Sequence, residues 1–196
     1  MLESELAELF EYLEKTDYKL RTELAGLELN QMPPDGGWSA GQILAHLNRT
    51  EQYLYPLFKF GPTLGSIPHL LEILDRLNLR LCKLTGMRFE SNGAYQPPTL
   101  DNLSRGYPGR SMAPAFLRPK LRQYALDELL IERIDLRART LQAVQDADPV
   151  KLSTLQFTHP ILGRYSLVEF LFFIARHEEW HTEQLKRLKS KLVGKA

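Results

Sequence analysis

The residues in this chain best suited to chemistry are three histidines, His46, His177 and His181. Phe170, Ile174, His177, His181, Leu185 and Leu188 recur at spacings of four, three, four, four and three. In a helix that spacing makes one stripe, so both histidines continue an apolar face and point inward. Imidazoles four residues apart lie one turn above each other, close enough to share a metal ion. The plainer reading is a pair of core histidines satisfied by hydrogen bonds. His46, three residues after Ile43 and next to Leu47, faces inward near the start of its own helix. Three inward imidazoles leave a tetrahedral zinc or similar ion one open position, which can hold water or substrate. A buried neutral imidazole needs partners at both nitrogens, and one metal plus outer acceptors meets that need.

A protease-like reading competes. His177 to His181 spell H-E-x-x-H, in which the glutamate activates a metal-bound water. The pattern is short, and only Glu183 follows as a later carboxylate, with no later histidine for a third ligand. Glu178 also lies about 100° around the helix from His177 and reads as a solvated or interhelical charge. Glu178 and His181 spell E-x-x-H, but no second copy exists to build a dinuclear carboxylate site. Glu51 and Tyr53 are weak candidates for proton handling, with a salt bridge the commoner role for the glutamate. Arg49 and Arg176 are candidate anchors for an anionic cofactor. Cys82, the single cysteine, excludes an intrachain disulfide and reads as a small core residue.

The elements that position these groups follow from leucine periodicity. The chain has 37 Leu but only 4 Val and 7 Ile, a balance that favours helix over strand. Leu2, Leu6, Leu9, Leu13, Leu20, Leu24 and Leu27 predict a first helix over 2–28, closed by the turn NQMPPDGG. Ser39 caps a second helix to about Phe58, with Trp38 as an anchor before the cap and Pro56 ending or kinking it. Ser66 caps a third segment, where Leu70, Leu74, Leu77, Leu81 and Leu84 form a further stripe over 69–84, with Pro68 in the first turn. Residues 86–116, rich in proline and glycine, read as the least regular region. A long helix is predicted at 118–146, with Leu121, Ala125, Leu129, Leu136 and Leu141 along it. After a break at 146–150, a last helix runs from Ser166, in a capping box with Glu169, to about Leu192. The expected fold is all-α, a four-helix bundle with an additional helix and a long loop region, in one domain over 1–196.

Composition narrows the function classes. Lysine and arginine number 25 against 24 acidic residues, a net charge of +1, so no nucleic-acid partner is expected. Lys186, Arg187, Lys189, Lys191 and Lys195 form a basic end that reads as a solvated helix terminus favoured by the helix dipole. The acidic, amphipathic start does not read as a secretory signal, and the apolar run at 167–175 is too short to span a bilayer. The expectation is a cytoplasmic protein with no membrane partner.

Two stretches, WSAGQILAHLNRTE at 38–51 and HPILGRYSLVEFLFFIARHEEWHTEQLKRL at 159–188, resemble the DinB-like superfamily of metal-binding four-helix proteins. The family's first histidine corresponds to His46, following Trp38 and Ser39, and its second and third to His177 and His181, followed by Gln184. The resemblance implies one divalent ion at these three positions, zinc or nickel above others. It also implies a homodimer and a bundle with a long crossover. Characterised relatives include low-molecular-weight thiol S-transferases and a thiol-dependent isomerase, so a small-molecule thiol and an electrophilic substrate are the implied partners. The long 59–117 region departs from a minimal family member and bears on pocket shape. His159, between Pro160 and Gly163 of a turn, reads as a local structural group or a donor behind the ligands rather than a fourth ligand. The alternatives to a transferase are a non-catalytic, metal-stabilised helical protein and a metal-dependent hydrolase.

Overall fold

Each predicted apolar stripe becomes a helix, but the helices bury different fractions of what they carry. The structure is a computed structural model that describes residues 2–34, 36–65, 67, 69–85, 88–91, 109–159 and 163–193. Helix α1 spans Leu2–Leu24 and stops four residues short of the prediction, where the chain turns through Gly26 at φ +76°. Helix α2 spans Ala40–Leu64. The Ser39 hydroxyl accepts from the Gln42 amide at 3.3 Å, and the Gln42 side chain accepts from the Ser39 amide at 3.0 Å. It continues past the predicted end at Phe58, with Pro56 and Pro62 inside it. Pro56 is exposed, while Leu54, Phe58 and Gly61 are buried. A proline costs a helix interior about 3 kcal/mol, and each buried large side chain returns about 1.5–3 kcal/mol. Gly61 permits the close approach, since a Cβ there would lie 2.9 Å from the Phe157 ring.

Helix α3 spans Leu70–Leu84, as predicted, but its stripe is not core. Leu74, Leu77, Leu81 and Leu84 are exposed, Leu84 to 85%. The face turned inward carries Cys82, 1% exposed, and Asn78, which accepts a hydrogen bond from the Tyr53 hydroxyl of α2. Ser66 and Pro68, the predicted cap and first-turn proline, lie outside the described residues. The irregular region contains an antiparallel pair, β1 at Arg88–Ser91 and β2 at Gly109–Met112, with Arg88 opposite Met112, followed by a one-turn 3-10 helix at Ala115–Leu117.

The fourth helix, α4, spans Leu126–Gln145 and begins eight residues later than predicted. Leu121 is 90% exposed rather than part of its stripe. The reason is tertiary: the Asn30 side chain accepts from the Tyr124 amide and donates to the Tyr124 carbonyl, both at 2.9 Å. That clamp holds the backbone extended where a helix would require its amide. A short helix, α5 at Pro149–Thr154, fills the predicted break, capped by Asp148. Strands β3 at Gln156–His159 and β4 at Gly163–Ser166 form a second antiparallel pair where only a connection was expected. Pro160 of the predicted turn lies outside the described residues. Helix α6 spans Leu167–Val193, entered by the predicted box: Glu169 accepts from the Ser166 amide at 2.7 Å, and the Ser166 hydroxyl accepts from the Glu169 amide at 3.2 Å.

Helix α1 packs on α6, α6 on α2, and α2 on α4. Their apolar side chains form two clusters rather than one. Leu9, Leu13, Leu54, Phe58, Val144 and Phe170 to Ala175 belong to the first; Leu20, Leu24, Ile43, Leu44, Leu47, Leu129, Leu185 and Leu188 belong to the second. On each of the four helices, buried polar residues lie between the two sets: Thr16 on α1, Asn48, Thr50 and Glu51 on α2, Arg133 and Thr140 on α4, and Glu178, His181 and Thr182 on α6. The bundle therefore has a polar layer across its middle, and the histidines sit beside it. Among the described residues, no helix is long and apolar enough to cross a membrane.

Candidate metal centre

His46 comes from the second turn of α2, and His177 and His181 from successive turns of α6. The ligand atoms of the three lie within 4.8 Å of one another. His177 Nε2 stands 3.3 Å from His46 Nε2 and 3.1 Å from His181 Nε2. Ligands bound at about 2.0–2.1 Å around a tetrahedral ion are themselves about 3.3–3.4 Å apart, so the spacing fits one shared ion.

The outer ring nitrogens fix which atoms face inward. His46 Nδ1–H donates to the Leu117 carbonyl at 2.8 Å, and His181 Nδ1–H donates to the Gln184 side-chain oxygen at 2.8 Å. Both rings then carry a lone pair at Nε2. His177 Nε2 can supply one hydrogen at most. At least one lone pair therefore faces the cluster without a proton, which is an electron-rich arrangement that a cation completes. The chemistry of three neutral imidazoles without a carboxylate suits a divalent ion of borderline softness. Leu117 lies in the one-turn helix after β2, so the long region before α4 supplies the backing for the first histidine.

Aromatic walls enclose the rings. Trp38 lies 4.9 Å from His46 and stacks on His181 at 6.2 Å; Trp180 meets His181 edge-on at 4.6 Å; Phe173 stacks on His177 at 5.4 Å. Burial pushes all three histidines below the ordinary value of 6.5. The neighbouring imidazoles push His177 and His181 further, while the Leu117 hydrogen bond partly opposes the shift of His46. A neutral imidazole is the form that binds a metal. His46 and His181 are buried and His177 is half-buried.

Glu178, next in sequence to His177, belongs to a different cluster. Its Oε1 accepts from the Arg133 and Arg137 guanidinium groups, and its Oε2 accepts from the Thr16 hydroxyl at 2.6 Å. Arg133 also reaches Asp17 at 2.6 Å, and Arg137 holds Glu51 through two bonds of 2.9 and 2.8 Å. Burial opposes ionisation of Glu51, but Arg137, with help from Arg133 and Thr140, outweighs it and holds the carboxyl below its ordinary value. Glu178 is thus an interhelical charge and not a solvated one. Ion-paired on both sides, it is unsuited to the water-activating role of the H-E-x-x-H reading.

The remaining candidates lie outside the ligand cluster. Tyr53 bonds Asn78 and packs on Phe116 at 5.1 Å, which ties α2 to α3. Arg49 donates to the Arg118 carbonyl, and Arg176 pairs with Glu179 at 2.5 Å, so each is engaged within the chain. His159 packs on Phe173 at 5.0 Å, one ring behind His177, and burial lowers it to about 3. Periodicity did not single out Thr16, Asp17, Asn48, Arg133 or Arg137. The available signal was the interrupted stripes, since the step of seven from Leu13 to Leu20 skips Thr16 and Asp17, and that from Leu129 to Leu136 skips Arg133.

No curated protein and no solved structure matches the chain. The family model of the DinB superfamily does, over residues 13–185, a span that includes all three histidines and every residue of the polar layer. The chain belongs to the DinB superfamily, with its histidine triad as the candidate metal site.

Proposed function

We propose that His46, His177 and His181 hold one divalent ion, zinc or nickel, and that the chain is a metal-dependent S-transferase joining a small cellular thiol to an electrophilic substrate. The convergence of the three Nε2 atoms carries the reading. Among the described residues no fourth His, Cys, Asp or Glu joins them, which favours an open position over a closed structural shell. A bound divalent ion supplies a Lewis acid that lowers the pKa of a thiol or water brought to it. The chain's part is to hold the lone pairs of His46 and His181 in place through the Leu117 carbonyl and the Gln184 amide, and to wall the three rings with Trp38, Trp180 and Phe173. Its single cysteine is buried, so the reacting sulfur comes from outside the chain. The family resemblance extends the proposal to a cytoplasmic homodimer, with residues 1–196 as one domain in each subunit.

The test loads the protein with cobalt or nickel and adds small cellular thiols and soft electrophiles in turn. The transferase reading expects each productive thiol to shift the metal's absorption spectrum, and turnover to require both thiol and metal. It expects turnover to fall on replacing His46 or His181 in folded protein. An unchanged spectrum across the panel, with turnover equal to a metal-free control, defeats it. A second reading, a metal that only secures the bundle, draws on the enclosure of His46 and His181, 4% and 1% exposed. It expects metal removal to lower the melting temperature while no thiol reaches the ion. Light scattering that shows monomer at all concentrations removes the dimer.

A further inference from the structure

The buried charge network leaves one donor without an acceptor. Arg137, 11% exposed, gives its Nε and Nη2 to Glu51 and its Nη2 also to Glu178. Its Nη1 is buried and makes no hydrogen bond among the described residues. Such a donor has given up its hydration with nothing in return, which calls for a partner from outside the chain. The guanidinium is planar, so with its Nε/Nη2 edge on Glu51 the opposite edge carries Nη1 away from that carboxylate. Beside Arg137 lies a cavity of about 380 Å³ between α1 and α4, within the roughly 300–1,000 Å³ of small-molecule sites. Neither Glu51, Glu178 nor any of the three histidines lines it. Leu13 and Leu141 form apolar walls, and the Tyr18 ring, 67% exposed, stands beside them. Asp17 also borders it, but its two oxygens are taken by Arg133 at 2.6 Å and Arg21 at 2.9 Å. Glu14, on the same face of α1, is exposed. In the lining, Arg21 and Arg137 therefore cancel Glu14 and Asp17.

We infer that this cavity binds a small uncharged molecule with an apolar body and one carbonyl acceptor, an amide or a ketone. The carbonyl oxygen accepts from Arg137 Nη1, and the body packs against Leu13, Leu141 and the Tyr18 ring. A carboxylate would be the third on one guanidinium and would lie beside Glu14, so charge selects against an anion. An ammonium has no lone pair to offer. The inference depends neither on the metal nor on thiol chemistry.

The experiment titrates full-length, nitrogen-labelled protein, zinc-loaded and metal-stripped, with cyclohexanecarboxamide, cyclohexanecarboxylate and cyclohexylammonium, which share one body. Magnetic resonance follows the backbone amides and the Arg137 Nε–H, which donates to Glu51 at 2.9 Å. With the carboxamide, the expected result is saturable movement of that signal and of the amides around Leu13–Arg21 and Arg137–Leu141, with or without zinc. The carboxylate should bind about threefold more weakly, the scale of one exposed like-charge contact. Cyclohexylammonium should bind about tenfold more weakly or worse, the scale of one lost hydrogen bond to a charged group. Glu14→Gln, at an exposed position, should narrow the gap between carboxamide and carboxylate. Arg137→Lys keeps the charge without Nη1 and should cost the carboxamide about tenfold. Because Arg137 belongs to the polar layer, Tyr18→Ala at its exposed site gives a second measure, a loss of about threefold with an unchanged circular dichroism spectrum. A carboxamide that moves no signal at its solubility limit overturns the proposal, since Nη1 then has water alone. So does equal or tighter binding of the carboxylate or the ammonium, undiminished binding by Tyr18→Ala, or movement confined to residues around the histidines. A silent cavity beside a thiol-responsive metal would leave the transferase reading standing and this one refuted.

Discussion

His177 and Glu178 are adjacent in the chain but serve unlike clusters. One turns into a set of neutral nitrogens walled by aromatic rings, the other into a set of full charges, two guanidinium groups against three carboxylates. The step of 100° per residue is the whole difference in address. In the histidine set, burial removes charge, since imidazole can lose its proton and still offer a lone pair. In the carboxylate set, burial keeps charge, since each ion is desolvated together with a partner. The first set is left electron-rich and receptive to a cation. The second is neutralised once Arg21, paired with Asp17 at 2.9 Å, is counted, and it ties four helices together.

That contrast can be broken from either side. The largest expected effect is on metal content: His177→Ala deletes the nitrogen common to both short contacts, and stoichiometric binding should be lost while the helical circular dichroism persists. Retention of one metal per chain in all three single histidine variants would contradict the assignment. Glu178→Ala should act on the other set, leaving Arg133 and Arg137 buried without their shared acceptor. Removing one partner of a buried pair costs about 3–5 kcal/mol, so urea unfolding should show a lower midpoint with little change in slope. A loss below about 1 kcal/mol would mean that the network contributes little.

Gln184→Leu removes the acceptor behind His181 and keeps the ligand itself. Metal affinity should fall about 10–100-fold, the usual consequence of losing such a partner, with stoichiometry restored at high metal concentration. An unchanged affinity would show that His181 needs no orientation. Acid should separate the two sets in the metal-free protein. The histidines titrate below 6.5 in the folded state, so the unfolded chain binds more protons there, and their contribution to stability is lost as pH falls from about 6.5. Glu51 is also depressed, from an ordinary 4.5, so its contribution is present above that pH and is lost as pH falls through the folded value. Stability measured against pH should therefore decline in two stages, the higher one shifting to lower pH when metal is added. A single stage below 4.5 would remove the histidine contribution. The smallest effect belongs to Leu77→Lys on the exposed face of α3, within about 0.5 kcal/mol in thermal melts. A larger loss would show that this face is covered.

The long helices were legible, because the period of 3.6 is written into a few neighbouring residues, whereas α5, at six residues too short to show a period, was not. Ser39 and the Ser166–Glu169 box fell where expected for the same reason, since a cap is a contact between residues three apart. The histidine triad was legible as three positions on inward faces. Its backing was not: Leu117 lies 71 residues from His46 and acts through a carbonyl, which any residue type supplies. Arg133 and Arg137 were hidden because an arginine in an otherwise apolar face looks like a surface residue until its carboxylates arrive from other helices.

The leucine stripes of α3 and α6 mark the boundary between the two kinds of information. By itself, the order of residues determined that both segments are helices with an apolar side, where two of them start, and which side chains share a face with a histidine. Only the tertiary structure decided that the α6 stripe is buried and most of the α3 stripe exposed, that Pro56 is spanned, and that Asn30 holds back the start of α4. It also decided that the interruptions of four stripes meet at one level as a polar layer. Periodicity is set by backbone geometry over a few residues, whereas burial and ion pairing depend on which distant surfaces meet, and that choice is made by the packing of the whole chain.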